Sequence, residues 1–516
     1  MSPRLAGGSG PVAVTTHNEA TTVALDVMGQ GGNAADAAIA ANAVIGVMLP
    51  DTCGVGGDLF ALVHRNGETA PLCLNASGRA GSGADAAALR DQGLDEIPMM
   101  SHLGITVPGC VDGWEALLER CGSSDLARLL QPAISRASDG FEVSPEFSRS
   151  LGRSKDWIGS QPSAAALYPG GEAPASGQTI SRPDLAVTLD ALAAGGRSAF
   201  FDHVGGQIIE ATQGLITAPD LARSQADWVE PLGTEVLGRT GWTVPPNSQG
   251  YLTLATTWLF EDGSPPRDPS DPMYQWQLIS AYRSIAQEHG DVVADPDTAP
   301  LAAKDLLSPE RLRRVAAGSG TGPPQGAGGT TYLCTMDGDG MAVSLIQSNY
   351  TGIGSGLSAG DTGVFLHNRG AGFNLRPDHP NELMPGRRPL HTLSPTMWTD
   401  DGHTDLVLGT RGGLYQPQLL AQMAAHLYHA GLDPAAAHDQ PRWVMDQWEA
   451  GTSVRIQLED TGGSIAESLQ ELGCEVELVP ASQEGWGPVS LIQVDGSGAR
   501  TGAADPRVST AAAGAL

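Results

Sequence analysis

Ala20, Val23, Ala24, Val27 and Met28 fall on the i, i+3, i+4, i+7, i+8 spacing of one helix face, and Gly31-Gly32 follows as a stop. The pattern predicts an amphipathic helix over residues 19–29. A second helix is expected from Asn33 onward; its many alanines let it pack closely on its neighbours, and Pro50 ends it before the turn Gly54-Val55-Gly56-Gly57-Asp58. Residues 60–64 and 70–75 read as a strand pair around Asn66-Gly67. Helical patterns dominate residues 114–222, with Ser124 or Asp125 placed to cap a helix over 126–138.

The sharpest change of pattern lies at residues 316–329, which carry no charge, few apolar side chains and many glycines and prolines. Such a segment is a flexible loop. Short β-rich runs follow at 331–336, 341–347, 364–367, 396–399 and 404–409, and the stripe Leu419, Leu420, Met423, Leu427 marks a core helix. Strands at 453–458 and 475–479 flank a helix at 464–472, and 490–494 is read as the last strand. Gly356-Leu357-Ser358-Ala359-Gly360 matches the serine-hydrolase elbow, but that elbow needs a strand before and a helix after, and the surrounding pattern provides neither.

Composition narrows the function. A chain of 516 residues with 41% hydrophobic content can build one large or two closely packed cores. A net charge of -29 argues against nucleic acid as a partner, since phosphate binding needs a basic face. The N-terminal residues carry no apolar run of signal-peptide length and no later stretch approaches a membrane span, so a cytoplasmic protein without a membrane partner is expected. Cys53, Cys73, Cys110, Cys121, Cys334 and Cys474 are scattered without close pairs, as reduced thiols would be. No HExxH motif occurs, and His426 with His429 lacks further ligands nearby, so neither metal nor cofactor is expected.

The loop ends on Gly328-Gly329 and runs into Thr330-Thr331. A threonine hydroxyl is a weak nucleophile without a base, and an N-terminal threonine uses its own α-amine for that purpose. Cutting the Gly329-Thr330 bond creates such a residue, and two glycines leave the carbonyl of Gly329 open to attack. Taking Asp337-Gly338-Asp339-Gly340 as the turn and pairing Met336 with Met341 sets Thr330 opposite Gln347 and beside Ser348; a one-residue bulge sets Ser348 opposite. Pairing Thr399 with Thr404 around the next turn brings the backbone at Gly412 toward His391, so Gly412-Gly413 is a candidate for donating N–H groups to an oxyanion.

These residues sit within ordered blocks: Gly31-Gly32-Asn33-Ala34-Ala35-Asp36-Ala37-Ala38, Thr106-Val107-Pro108-Gly109, Thr330-Thr331-Tyr332 through Gly340, Arg388-Pro389 with Ser394-Pro395, Gly412-Gly413, and Asp505-Pro506-Arg507. In order and spacing the set resembles the γ-glutamyltranspeptidase family of N-terminal-nucleophile hydrolases, from about residue 11 to about residue 508. The resemblance implies an α+β fold, a four-layer αββα sandwich, with self-cleavage into two intertwined subunits, 1–329 and 330–516. It implies Thr330 as nucleophile, Ser348 as its supporting hydroxyl, and Gly412 and Gly413 as the oxyanion hole. A single processed heterodimer and a homodimer of such heterodimers both remain open.

The chain departs from classical members where these hold the glutamate α-carboxylate and α-amino group. Ala76-Ser77-Gly78-Arg79 stands at the first position, Gly372 before Phe373 at the second, and His391-Thr392 at the third. An ammonium beside Gly372 and Arg369 would find no counter-charge. The blocks Gln347-Ser348-Asn349-Tyr350, Asn368-Arg369-Gly370 and Gln416-Pro417-Gln418 are similar to the branch that includes oxamate amidohydrolase and acylase-like hydrolases. Arg79, Arg369 and Arg411, with His391, Thr392 and Tyr350, are candidates for holding a small amide substrate that bears a carboxylate. Arg411, just before the glycine pair, is the arginine best placed by sequence. Classical γ-glutamyl chemistry on glutathione-like substrates, C–C bond hydrolysis in secondary metabolism, and an unprocessed inactive binding homologue are the alternatives.

Overall fold

The computed structural model describes residues 4–318, 320–322, 328–445 and 448–516. The expected loop at 316–329 therefore lies partly outside the described residues; within them, the helix Pro309–Ala316 precedes it and the strand Gly329–Met336 follows.

Two seven-stranded sheets organise the chain. One runs Ala512–Ala515, Val12–Thr15, Gly329–Met336, Ala342–Tyr350, Asp58–His64, Leu72–Ala76 and Asp227–Val229. The other runs Leu5–Gly8, Arg500–Ala504, Val489–Val494, His403–Thr410, Thr396–Asp400, Arg239–Thr243 and Leu232–Val236. All pairings within them are antiparallel.

Strand alternation sorts the first sheet's side chains between two cores. Leu59, Ala61, Val63, Leu333, Val343 and Leu345 pack with the helices Asn18–Gly29, Ala34–Met48 and Leu126–Asp139. The alternate residues Phe60, Leu62, Tyr332, Cys334 and Ile346 pack against Met397, Val407 and Ile492 of the second sheet. A third core joins Trp398, Leu406 and Leu408 to the helices Tyr251–Asp262, Pro272–Ala286 and Gln416–Ala424. Gly409 is needed at the sheet contact, because a Cβ there would stand 2.1 Å from the Tyr332 ring.

The first helices follow the sequence pattern, although the strands Leu5–Gly8 and Val12–Thr15 before them are not expected from it. The alanine-rich helix Ala34–Met48 buries every residue but Gly46, and Asn33 caps it by accepting from the N–H groups of Ala35 and Asp36. Asp125, rather than Ser124, caps Leu126–Asp139. Other expectations are corrected. Residues 364–367 make only an isolated bridge, Phe365 to Ser358, and Val489–Val494 is followed by two more strands, Arg500–Ala504 and Ala512–Ala515. These last strands are short and rich in alanine and glycine, which hides them from a search for β-branched runs.

Both hairpin registers also move by one residue. Met336 pairs with Ala342, not Met341, because Asp337 N–H donates to the Met341 carbonyl and the turn takes five residues. The shift puts Thr331 opposite Gln347, with a bulge between Gly329 and Thr331. Thr399 does pair with Thr404, but a bulge at Trp398/Thr399 makes Thr396 face Leu408, so the extrapolated neighbour of Gly412 becomes Thr392 instead of His391.

Candidate active site

Thr330 lies at the start of its strand, with 1% of its surface exposed. Its Oγ1 donates to Ser348 Oγ at 3.1 Å. Ser348 Oγ also accepts from the Tyr350 N–H at 2.8 Å and donates to the carbonyl oxygen of Gly329 at 2.5 Å. The serine hydroxyl is thus fully engaged, taking one proton from Thr330 and giving its own to the carbonyl of the Gly329-Thr330 bond. The bulge creates this arrangement by letting Gly329 face Tyr350 while Thr331 faces Gln347.

The chain before Thr330 is closely held. A Cβ on Gly329 would stand 2.5 Å from the Asp51 carbonyl oxygen and 2.9 Å from Gly352 N. A Cβ on Gly328 would stand 2.9 Å from the Tyr350 carbonyl oxygen and 3.3 Å from Gly413 Cα. Glycines are required at both positions for steric reasons, and they bring the Gly412-Gly413 pair against the same segment. Gly412 (φ 127°) and Gly413 (φ 56°) adopt backbone that L side chains avoid, just ahead of the helix Gln416–Ala424. Among the described residues neither N–H has an acceptor. Gln249 Nε2 donates to the carbonyls of both Thr392 and Gly413 at 3.0 Å, tying the two loops together.

The three candidate arginines differ. Arg79 pairs with Asp227 at 2.5 Å, a carboxylate that also accepts from Arg388 at 2.8 Å. Arg411 donates to the Gly487 carbonyl and, at 3.1 Å, to the Glu484 carbonyl, with the Glu484 carboxylate at 3.7 Å. Arg369 is 1% exposed and donates from Nη1 to Thr392 Oγ1 at 3.2 Å, while its Nε has no acceptor. Its guanidinium carbon stands 3.5 Å from the centre of the Tyr350 ring. No carboxylate pairs with Arg369 among the described residues, and burial lowers its pKa from the usual arginine value. Gly372 leaves room for it, since a Cβ there would stand 2.6 Å from Nη2.

The γ-glutamyltranspeptidase family profile matches residues 20–515. The chain belongs to that family. It is 33% identical to the glutathione hydrolase-like YwrD proenzyme of Bacillus subtilis (strain 168), over 98% of this chain and 99% of that one. Identity to the oxamate amidohydrolase proenzyme of Klebsiella pneumoniae is 32%, over 98% of both chains. The cephalosporin acylase of Bacillus halodurans superposes with a TM-score of 0.91 at 30% identity, covering 100% of this chain and 97% of that one. These relatives make this member of the γ-glutamyltranspeptidase family a hydrolase or acyltransferase with a mixed α/β fold.

Sequence reasoning missed the group at the centre of this γ-glutamyltranspeptidase-family site, Asp58. It pairs with Ser348 across neighbouring strands, and its Oδ2 accepts from His391 Nε2 at 3.1 Å with His367 Nδ1 3.6 Å away. Oδ1 accepts from Gly78 N–H at 2.8 Å. Burial works to raise the Asp58 carboxyl, but His367 and His391 outweigh it and hold the pKa below the usual carboxylate value. Burial takes His391 down to about 4 despite the hydrogen bond to Asp58, so the ring is neutral at pH 7. Its Nδ1 accepts from Leu393 N–H at 3.3 Å. With both nitrogens engaged, His391 supports Asp58 instead of offering a free donor. The signal for Asp58 was a single acid between Gly57 and an apolar strand, a place where a charge is retained only if partnered.

Among the described residues no helix is long and apolar enough to cross a membrane, and no cluster of three or more His, Cys, Asp or Glu is placed to hold a metal. All six cysteines are buried and free.

Proposed function

We propose that the protein is an autoprocessed N-terminal threonine hydrolase that cleaves the amide of a small acyl donor bearing a carboxylate. The observation that carries this reading is the relay Thr330 Oγ1, Ser348 Oγ, Gly329 O. As Thr330 Oγ1 bonds to the Gly329 carbonyl carbon, its proton passes to Ser348 and the Ser348 proton passes to the carbonyl oxygen. As that adduct collapses its hydroxyl proton passes to the Thr330 nitrogen, and the C–N bond breaks to free the Thr330 α-amine. The ester left on Oγ1 is hydrolysed by water, which returns the hydroxyl to Thr330 and leaves a carboxylate on Gly329. In turnover the freed amine serves as base, and the N–H groups of Gly412 and Gly413 receive the substrate oxyanion. The precursor divides into subunits 1–329 and 330–516 intertwined in a four-layer αββα sandwich, an arrangement supported by the three successive cores.

Arg369 supports an anionic acyl group. Asp58 acts on the buried Arg369 guanidinium only from beyond ion-pair distance, so burial is incompletely offset, and a substrate carboxylate would relieve that cost while Thr392 and Tyr350 define its surroundings. Oxamate, the substrate named for one relative, is itself an anionic amide. The α-ammonium of a γ-glutamyl group would instead meet Arg369 beside Gly372. The test is intact-mass analysis followed by kinetics on oxamate, succinamate, glutaryl amides and γ-glutamyl amides. We expect two chains with Thr330 newly N-terminal and preference for donors without the α-amine; an active single chain, or exclusive use of γ-glutamyl donors, overturns the reading.

A further inference from the structure

Met99, Met100 and Trp157 are large apolar residues left 40%, 42% and 39% exposed. Scattered exposed apolar residues need no explanation, but these three converge on one turn. The Trp157 ring lies 3.7 Å from the Cβ position of Gly352 and 3.6 Å from that of Gly356, and Met100 Sδ lies 3.9 Å from the latter. Met99 is fixed to the same turn: its carbonyl accepts from Asn368 Nδ2 at 3.2 Å, and Asn368 Oδ1 accepts from the Thr351 N–H at 3.2 Å.

The turn connects this apolar platform to the reacting centre. Gly352 N packs against Gly329, Tyr350 donates its N–H to Ser348 and stacks on Arg369, and Asn368 immediately precedes Arg369. Arg369 is buried, whereas Trp157, Met99 and Met100 on the other side of this turn are exposed. A substrate held by its acyl carboxylate at the buried end extends its other end, beyond the scissile amide, toward the exposed edge.

We propose that Trp157, Met99 and Met100 form a leaving-group subsite that favours amides of aryl or extended apolar amines over primary amides. The inference rests on the reading of Thr330 and Arg369 given above. An indole offers a flat face for an aromatic ring, and the two thioethers adapt their shape to its edge. Met and Trp in these positions make an adaptable apolar surface.

The experiment compares glutaryl anilide with glutaramic acid, the primary amide, on processed wild type, Trp157→Ala, Trp157→Phe and Met100→Ser. The kcat/KM ratio of anilide to primary amide should fall about tenfold in Trp157→Ala, mostly through KM, fall less in Met100→Ser, and recover in Trp157→Phe. An unchanged ratio in Trp157→Ala overturns the proposal, as does a change in sedimentation with no change in ratio, which would make the platform a contact between copies of the chain. If wild type hydrolyses neither amide, the reading of Thr330 fails, and calorimetric binding decides the subsite. Wild type should then bind glutaryl anilide about tenfold tighter than glutaramic acid and Trp157→Ala should not; equal affinities in wild type overturn it.

Discussion

Ser348 Oγ stands 2.5 Å from the carbonyl oxygen of Gly329, to which it donates. That contact places a hydroxyl on the carbonyl next to Thr330, and the same hydroxyl accepts the Thr330 proton. One serine therefore links the candidate nucleophile to the bond that must break.

Maturation is the first. Wild-type protein should separate under denaturing conditions into a fragment ending at Gly329 and one beginning at Thr330. Thr330→Ala should remain one chain, and Thr330→Ser, which keeps a hydroxyl, should still be cut. N-terminal sequencing of the smaller fragment checks the position.

Ser348→Ala removes the donor to the Gly329 carbonyl and the acceptor for Thr330. Loss of such a hydrogen bond costs about 1 to 3 kcal/mol, so self-cleavage should slow by roughly 5- to 150-fold while the fold persists. Ser348→Thr should restore most of the rate. Following the single-chain band over time after synthesis gives the rate constant, and an unaltered rate would remove Ser348 from the mechanism.

The arginines should separate by kinetic signature. Arg369→Met deletes the buried cation that lacks a carboxylate, so KM for an anionic donor should rise roughly 10- to 150-fold, the worth of about 1.5 to 3 kcal/mol for hydrogen bonds to a charged group. Arg411→Ala should act mainly on kcat, because its guanidinium holds the Gly487 and Glu484 carbonyls beside the glycine pair. Steady-state kinetics on one donor decides both.

Stability should fall as the pH drops below the ordinary histidine value. Burial lowers His289, His391 and His438 each to about 4 in the folded protein, against a reference value of 6.5. Between those values the unfolded chain binds the proton and the folded one does not, so the stabilisation is complete above pH 6.5 and is lost as the pH falls toward 4. At pH 5 the loss is about 2 kcal/mol for each residue. Urea unfolding of processed protein at pH 7 and pH 5 should show it, and His289→Gln should flatten the slope by one residue's share.

The sequence was sufficient where contacts are local. The helix starts at Asn33 and Asp125 follow from side chains bonding to N–H groups two or three residues on. Thr330 and Ser348 meet across only 18 residues of one hairpin, so their proximity follows from a turn and a strand period. Their exact face did not, because a five-residue turn and a bulge each shift the alternation by one.

What the sequence alone determined was the family, the first helices and central hairpins, and the threonine at the end of a glycine-rich loop. The tertiary structure decided which charges are free. Asp227, 148 residues from Arg79, engages that arginine, and Glu484, 73 residues from Arg411, engages another. Asp58 meets His391 across 333 residues. Ion pairing depends on distance in space and on desolvation, and neither can be read from spacing along the chain. Arg369 is distinguished from the other two arginines because folding buried it beside Thr392 and Tyr350 and, among the described residues, brought no carboxylate within ion-pair distance, Asp58 acting on it only from farther away.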